Sequence, residues 1–436
     1  MSTPTPPSAG PTSPRPTPAD VAAAARTLGA WLPPTPLQRN DRLSAALGLD
    51  VWLKREDLQP VRSYKVRGAA HLISGLTATE RERGVTCASA GNHAQGVALA
   101  CARAGVRGRV HLPRTTPRQK RERIAALGGD LVDVVIGGDT YDDAAAASRA
   151  YAAASGATPV PAFDDPRTIA GQATVGTELL AQVADLDGVL PAAVVVPVGG
   201  GGLLAGLCVS LGGTDTPIEL VGVEPAGAAS MAAALAAGGP VDLATLDGFV
   251  DGAAVRRVGV HTHALVAAHR PVLDAVPEGL VCVEMLDLYG ADGVIAEPAG
   301  ALATAGLRQQ AARLRAVHGE GARVVAIVSG GNNDVSRYDE VVERALVHEG
   351  LKHYFLVEFP QEPGALRRFL DDVLGPDDDI TLFEYVKRSN RETGPALVGI
   401  ELQHAEDLVG LRTRMAESSL RVEPVPPDSP LFRFVM

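Results

Sequence analysis

The sequence predicts a two-part protein: a large α/β unit built on parallel sheets, then a small α+β unit of the ferredoxin-like kind. Three observations carry this. From about Val21 onward, short Val/Ile/Leu-rich runs alternate with Ala-rich stretches of helical period, the pattern of buried strands joined by crossover helices. Three of the apolar runs end in a polar glycine loop and resume as a helix: GVTCASAGNHAQGVALA (84 to 100), AAVVVPVGGGGLLAGL (192 to 207) and ARVVAIVSGGNND (322 to 334). Composition then shifts near Asp334, and the C-terminal segment has the order βαββαβ, present once.

Taken in order, residues 1–18 are rich in Pro, Ser and Thr with almost nothing apolar to bury, so a disordered tail without chemistry is expected there. Residues 19–337 form the large unit, in which ligands should collect where loops leave the carboxyl ends of the strands. Residues 338–350, within the charged stretch SRYDEVVERALVHEGLKHYF, read as a linking helix. Within 351–436, residues 354–359 alternate as a strand and EPGALRRFLDDVL reads as a helix opening with Pro363. ITLFEYV and ALVGIEL read as strands, Ala405 to about Met415 as a helix, and a short strand is expected near Leu420.

With 436 residues, 46% of them hydrophobic, the chain can bury substantial cores. A net charge of -11 argues against nucleic acid or an anionic membrane as principal partner and favours small-molecule chemistry. Cys87, Cys101, Cys208 and Cys282 lack zinc or disulfide-framework spacing, so buried thiols in a reducing compartment are expected. No leader pattern and no apolar run of membrane-spanning length is present, and cytoplasmic residence is the expectation.

The most informative residue is Lys65, boxed by Ser63, Tyr64, Arg67 and Gly68 in KREDLQPVRSYKVRGA (Lys54 to Ala69). Its amine can hold pyridoxal phosphate as a Schiff base and then serve as a proton-transferring base; alone, it could equally be a solvated helix-end lysine. Gly199, Gly200, Gly201 and Gly202 follow VVVPV and precede LLAGL, so their amides can converge on a phosphate at a helix N-terminus. The alternatives are a plain turn, or a dinucleotide loop in which Gly200, Gly202 and Ala205 give G-x-G-x-x-A and Glu219 or Glu224 serves as ribose partner. Ser89, Ala90, Gly91, Asn92 and His93 form a polar strand-to-helix loop; Asn92 could bond a cofactor's ring oxygen, or Ser89 or Asn92 could merely cap the helix. Ser329 could face a ring nitrogen or simply open a tight SGGN turn. Their joint position at equivalent ends of predicted strands favours the cofactor reading.

These residues resemble the fold-type-II pyridoxal-phosphate enzymes, and within them the biosynthetic threonine dehydratases (threonine ammonia-lyases). The resemblance runs through TPLQ, KREDLQPVRSYKVRGA, ASAGNHAQGVA, IAGQATVGTEL, PVGGGGL, EPAGA and SGGN into the C-terminal unit. It implies a two-lobed catalytic domain over 19–337 and an ACT-like regulatory domain over 351–436. It also implies Lys65 as Schiff-base lysine and α-proton acceptor, and Asn92 as partner of the cofactor's 3'-oxygen. Gly199 to Gly202 with Leu203 would hold the phosphate, and Ser329 would sit at the pyridine nitrogen. Ser89, Ala90 and the backbone through Gly91, Asn92 and His93 would hold the substrate carboxylate, and the cofactor phosphate would protonate the departing hydroxyl. Threonine is then the substrate, 2-oxobutanoate and ammonia the products, isoleucine the feedback inhibitor with valine opposing, and a homotetramer the assembly.

Two departures from the family pattern matter. Tyr64 stands where relatives usually have Phe. Ala90 stands where related serine racemases have a serine, which argues against racemisation. Some relatives bind a divalent metal after a strand, but VEPAGAAS offers Glu224 and then Ser230 in place of an acid, so no metal site is expected. Glu362, Pro363 and Gly364, at a strand-to-helix corner, could meet an effector carboxylate or could only cap the helix. Serine dehydration or β-replacement on the same fold, a nicotinamide-dependent oxidoreductase using the Gly200 loop, and a non-catalytic amino-acid sensor are the rival readings.

Overall fold

Three sheets organise the chain in the computed structural model, which describes residues 15–385, 392–427 and 429–434. Most of the expected tail, residues 1–14, lies outside the described residues, as does Val386 at the end of ITLFEYV. The first helix, Pro18–Gly29, is capped by the Thr17 hydroxyl in a reciprocal arrangement with Asp20. Two compact units result, Met1–Glu278 with Asp287–Asn333 and Gly279–Leu286 with Asp334–Met436.

The first unit carries two sheets. β1 (Leu37–Arg39), β2 (Asp50–Arg55), β3 (Val85–Ala88), β4 (Gly108–Leu112), β5 (Val132–Ile136), β6 (Thr158–Pro159), β7 (Ala193–Pro197), β8 (Glu219–Pro225), β9 (Val272–Val276) and β10 (Arg323–Val328) follow one another with helices between. One sheet has the order β1-β2-β10-β7-β8-β9, parallel except for β1, and the other the order β5-β4-β3-β6, all parallel. β7 is buried along its whole length and β10 beyond its first residue, as parallel strands covered on both faces must be; their unbroken Val and Ala runs have no need to alternate. The largely apolar helix Gly202–Leu211 is buried among Val194, Val196 and Ile169. Among the described residues no helix is long and apolar enough to cross a membrane.

The second unit is a four-stranded antiparallel sheet, β12-β13-β11-β14, made of β11 (Lys352–Pro360), β12 (Asp379–Tyr385), β13 (Thr393–Glu401) and β14 (Arg421–Val425). Phe355, Val357 and Phe359 of β11 alternate inward and meet Phe369 and Leu411 of the helices Ala365–Asp372 and Asp407–Glu417. The Phe359 and Phe369 rings pack edge to face at 5.4 Å. The expected βαββαβ order is the one found, with a difference at the first helix. It starts at Ala365 and not at Pro363, because Gly364 takes φ +87° and serves as N-cap. The helix of the linking stretch is Tyr338–His348, while the division between units falls at Asn333, and Gly279–Leu286 groups with the second unit.

Candidate active site

Lys65 is the first residue of the helix Lys65–Ser74, whose N-cap residue Tyr64 makes no side-chain bond, while the Ser63 hydroxyl accepts from Lys65 N–H at 3.2 Å. A buried ionic cluster anchors this helix. Arg67, two residues on, grips the fully buried Glu56 with two hydrogen bonds of 2.8 and 2.7 Å and reaches Glu178 at 2.9 Å. Lys54, also fully buried, pairs with Glu178 and donates to the Thr35 carbonyl and to Gln182, both at 2.8 Å. Burial alone would push the Glu56 carboxyl up, but Arg67 and Lys54 outweigh it and hold it below its ordinary range. From the other side, Gly96 lets the helix Asn92–Ala104 approach the Lys65 backbone; a Cβ there would lie 3.1 to 3.2 Å from Val66 and Lys65 main-chain atoms.

The approach to Lys65 is stitched to the Ser329 loop by backbone. Tyr64 N–H donates to the Ser329 carbonyl at 3.1 Å, Ser63 bridges Gly330, and Gly331 N–H donates to the Arg62 carbonyl at 2.9 Å. Ser329 follows β10, is buried, and its hydroxyl donates to the Ala299 carbonyl at 3.0 Å. The Lys65 ammonium is half-buried, 5.1 Å from the centre of the Tyr64 ring and 3.3 Å from the Ala162 carbonyl.

Ala162 leads to the tetraglycine loop. A Cβ on Gly200 or Gly202 would collide with neighbouring Phe163, and Gly201 sits at φ +86° with Met231 and Thr262 against it. Thr262 donates to the Gly200 carbonyl at 2.8 Å, and Asp164 accepts from the amides of Val260 and His261 at 2.9 and 2.8 Å. The helix Gly202–Leu211 therefore begins in a rigid, buried turn with no side-chain cap, leaving its first amides for an anion. This donor set fits a phosphate. The dinucleotide alternative is disfavoured, since Glu219 is taken by Arg313 and His318 at 2.8 and 2.6 Å and Glu224 by the Met231 and Ala232 amides at 2.6 and 2.9 Å. Burial pushes Glu224 up to about 7, and its two oxygens cap a helix.

In the Ser89–His93 loop neither Ser89 nor Asn92 caps the helix. Gly91 is the N-cap without a side-chain bond, and the Ser89 hydroxyl accepts from Gly91 N–H at 3.2 Å. The Asn92 side chain instead turns sideways, donating to Glu297 at 2.5 Å and accepting from Asn332 at 2.7 Å. His93 is buried with Nε2 2.7 Å from the Val160 carbonyl, and burial pulls its pKa down to about 4, so it is a neutral brace. Sequence reasoning missed Glu297, Asn332 and Phe163. The first two lie inside the motifs EPAGA and SGGNND, which were the available signal.

In the second unit, Glu362 pairs with Arg368, and Gly364 caps the helix Ala365–Asp372 with its carbonyl accepting from Arg368 N–H at 3.1 Å. Glu362, Pro363 and Gly364 are all exposed.

A half-buried lysine at a helix start, an uncapped glycine-rich helix start and a buried hydroxyl after a parallel strand suit an enzyme built around pyridoxal phosphate. Residues 31–330 match the family of pyridoxal-phosphate dependent enzymes, and residues 343–435 match the C-terminal regulatory domain of threonine dehydratase. The L-threonine dehydratase biosynthetic IlvA of Mycobacterium tuberculosis is 58% identical over 96% of both chains, and that of Bacillus subtilis 46% identical over 92% of this chain and 93% of the relative. Among solved structures, the processed form of threonine deaminase isoform 2 from Solanum lycopersicum is similar with TM-score 0.68 and 38% identity, covering 75% of this chain and 92% of that one. Maize serine racemase is similar with TM-score 0.69 and 26% identity, covering 76% and 98%. The chain belongs to the biosynthetic threonine dehydratase family.

Proposed function

We propose that this chain deaminates L-threonine to 2-oxobutanoate and ammonia by eliminating the β-hydroxyl, as the first step of isoleucine biosynthesis in the cytoplasm. Isoleucine inhibits it through residues 351–436, with valine opposing, and the working assembly is a homotetramer. The names of the relatives and the regulatory-domain match support the substrate and the existence of control. The observation that carries the chemistry is the loop Ala162–Phe163, which touches the Lys65 amine at one residue and packs on Gly200 and Gly202 at the next.

When bound, pyridoxal phosphate supplies an aldehyde that captures the substrate nitrogen and a ring that draws electrons from its α-carbon. Lys65 Nζ would hold the cofactor and would be the base placed to take the α-proton of the substrate. The backbone amides of Gly199, Gly200, Gly201, Gly202 and Leu203 would hold the phosphate, and Asn92 would donate to the ring oxygen. Ser329 would serve the ring nitrogen; a neutral hydroxyl cannot enforce a full positive charge there, which would favour prompt loss of the β-hydroxyl over transamination. Ser89, Ala90, Gly91, Asn92 and His93 hold the substrate carboxylate. The hydroxyl leaves as water, and hydrolysis of the dehydrated product releases ammonia. Glu362, Pro363 and Gly364 form the effector corner.

Purified holoenzyme should be yellow and should release a 2-oxo acid from threonine with higher kcat/KM than from serine, and isoleucine should depress that rate. A colourless protein indifferent to added pyridoxal phosphate defeats the reading, and preference for serine without an isoleucine response would assign it to serine dehydration.

A further inference from the structure

The Asn92 carboxamide sits in a partly buried chain of hydrogen bonds that decides which way round it faces. Asn332 spends both of its N–H donors, one on the Val61 carbonyl and one on Asn92 Oδ1, each at 2.7 Å. Asn92 Oδ1 is thereby the acceptor, and Asn92 Nδ2 donates one hydrogen to Glu297 Oε1 at 2.5 Å. A primary amide carries two such hydrogens, so one is left over. Glu297 is 5% exposed; its own N–H donates to the Gly330 carbonyl at 3.1 Å, and its carboxylate lies so close that a Cβ on Gly330 would sit 2.3 Å from Oε1. The charged groups facing it are Asp251 and Lys120, which pair with each other at 3.0 Å.

We propose that Glu297 is a positioning residue that, with Asn332, locks the Asn92 carboxamide in one of its two orientations, so that its second N–H is the donor presented to the ring oxygen of pyridoxal phosphate. The proposal rests on the assignment of Asn92 to that oxygen. Without Glu297 the amide can rotate and present its own oxygen to an oxygen, replacing attraction by repulsion. A glutamine at 297 still has an acceptor for Asn92 and preserves the orientation without the charge.

The test is titration of the cofactor-free full chain with pyridoxal phosphate, read by the visible absorbance band and by the dissociation constant. Glu297→Gln should stay within about threefold of wild type, while Glu297→Leu and Asn332→Leu should each weaken cofactor binding roughly tenfold and shift the band. Should Glu297→Leu fail to fold, Asn332→Leu carries the test from the other end of the chain of bonds. Wild-type binding and spectrum in both leucine variants, alongside a weakened Asn92→Leu, would overturn the positioning role alone. An unaffected Asn92→Leu would remove the assignment beneath it, and the proposal with it. A Glu297→Gln as impaired as Glu297→Leu would show that charge and not orientation matters, which also overturns it.

Discussion

Replacing Arg67 by leucine is the sharpest probe of how the Lys65 helix is held. In the folded protein Arg67 and Lys54 face Glu56 and Glu178, two charges of each sign, with Arg67 and Glu56 almost wholly buried. Removing the guanidinium leaves two carboxylates with one cation in a dry pocket, and breaking a buried pair in this way costs about 3–5 kcal/mol. For a unit of this size that is a fall in melting temperature on the order of 10 °C. The pH dependence fixes the cause. In wild type the folded pKa of Glu56 lies below its ordinary 4.5, so its contribution is complete above that pH and is lost only as pH falls through the folded value. Without Arg67, burial dominates and raises the folded pKa. The variant then takes up a proton on folding, and its stability falls as pH rises through the raised value. Calorimetry of wild type and Arg67→Leu from pH 5 to pH 8 should show a deficit that is small at the acid end and widens towards pH 8. A deficit under about 1 kcal/mol, or one that does not vary with pH, refutes the argument.

Lys65→Ala should abolish turnover and the yellow band while circular dichroism and melting stay near wild type, since the side chain's hydrogen bonding to the described residues amounts to the 3.3 Å contact with the Ala162 carbonyl. Gly201→Ala forces a side chain into φ +86° against Met231, costing about 1–2 kcal/mol in backbone strain alone, and should weaken cofactor retention measured by dialysis. Ser329→Ala should reduce kcat by less than the loss seen in Lys65→Ala; an equally complete loss would mean that the hydroxyl does more than face the ring nitrogen.

The strands and glycine loops were legible because their signals are local: VVVPVGGGG holds a buried strand, a turn and a helix start within nine consecutive residues. The regulatory unit was legible for the same reason, down to the alternation of Phe355, Val357 and Phe359. What the sequence could not supply were partnerships across long separations. Asn92 and Glu297 are 205 positions apart, and Lys54 and Glu178 are 124 apart, so neither pair leaves a periodic trace. Asn92 illustrates the limit. Its type and position suit a helix cap equally well, and only the direction of its side chain, away from the amides and towards Glu297, separates the two uses. Gly364 is another case, because a glycine next to a proline does not announce which of them opens the helix.

The loop that carries Ala162 and Phe163 acts as a ruler. Its two adjacent residues touch the amine at position 65 and the glycine loop in turn, so under the proposed cofactor assignment a ligand would engage both ends only by bringing an aldehyde and a phosphate together. Under that assignment unphosphorylated pyridoxal would satisfy only one end, and retention of the cofactor would depend on its phosphate as well as on its aldehyde.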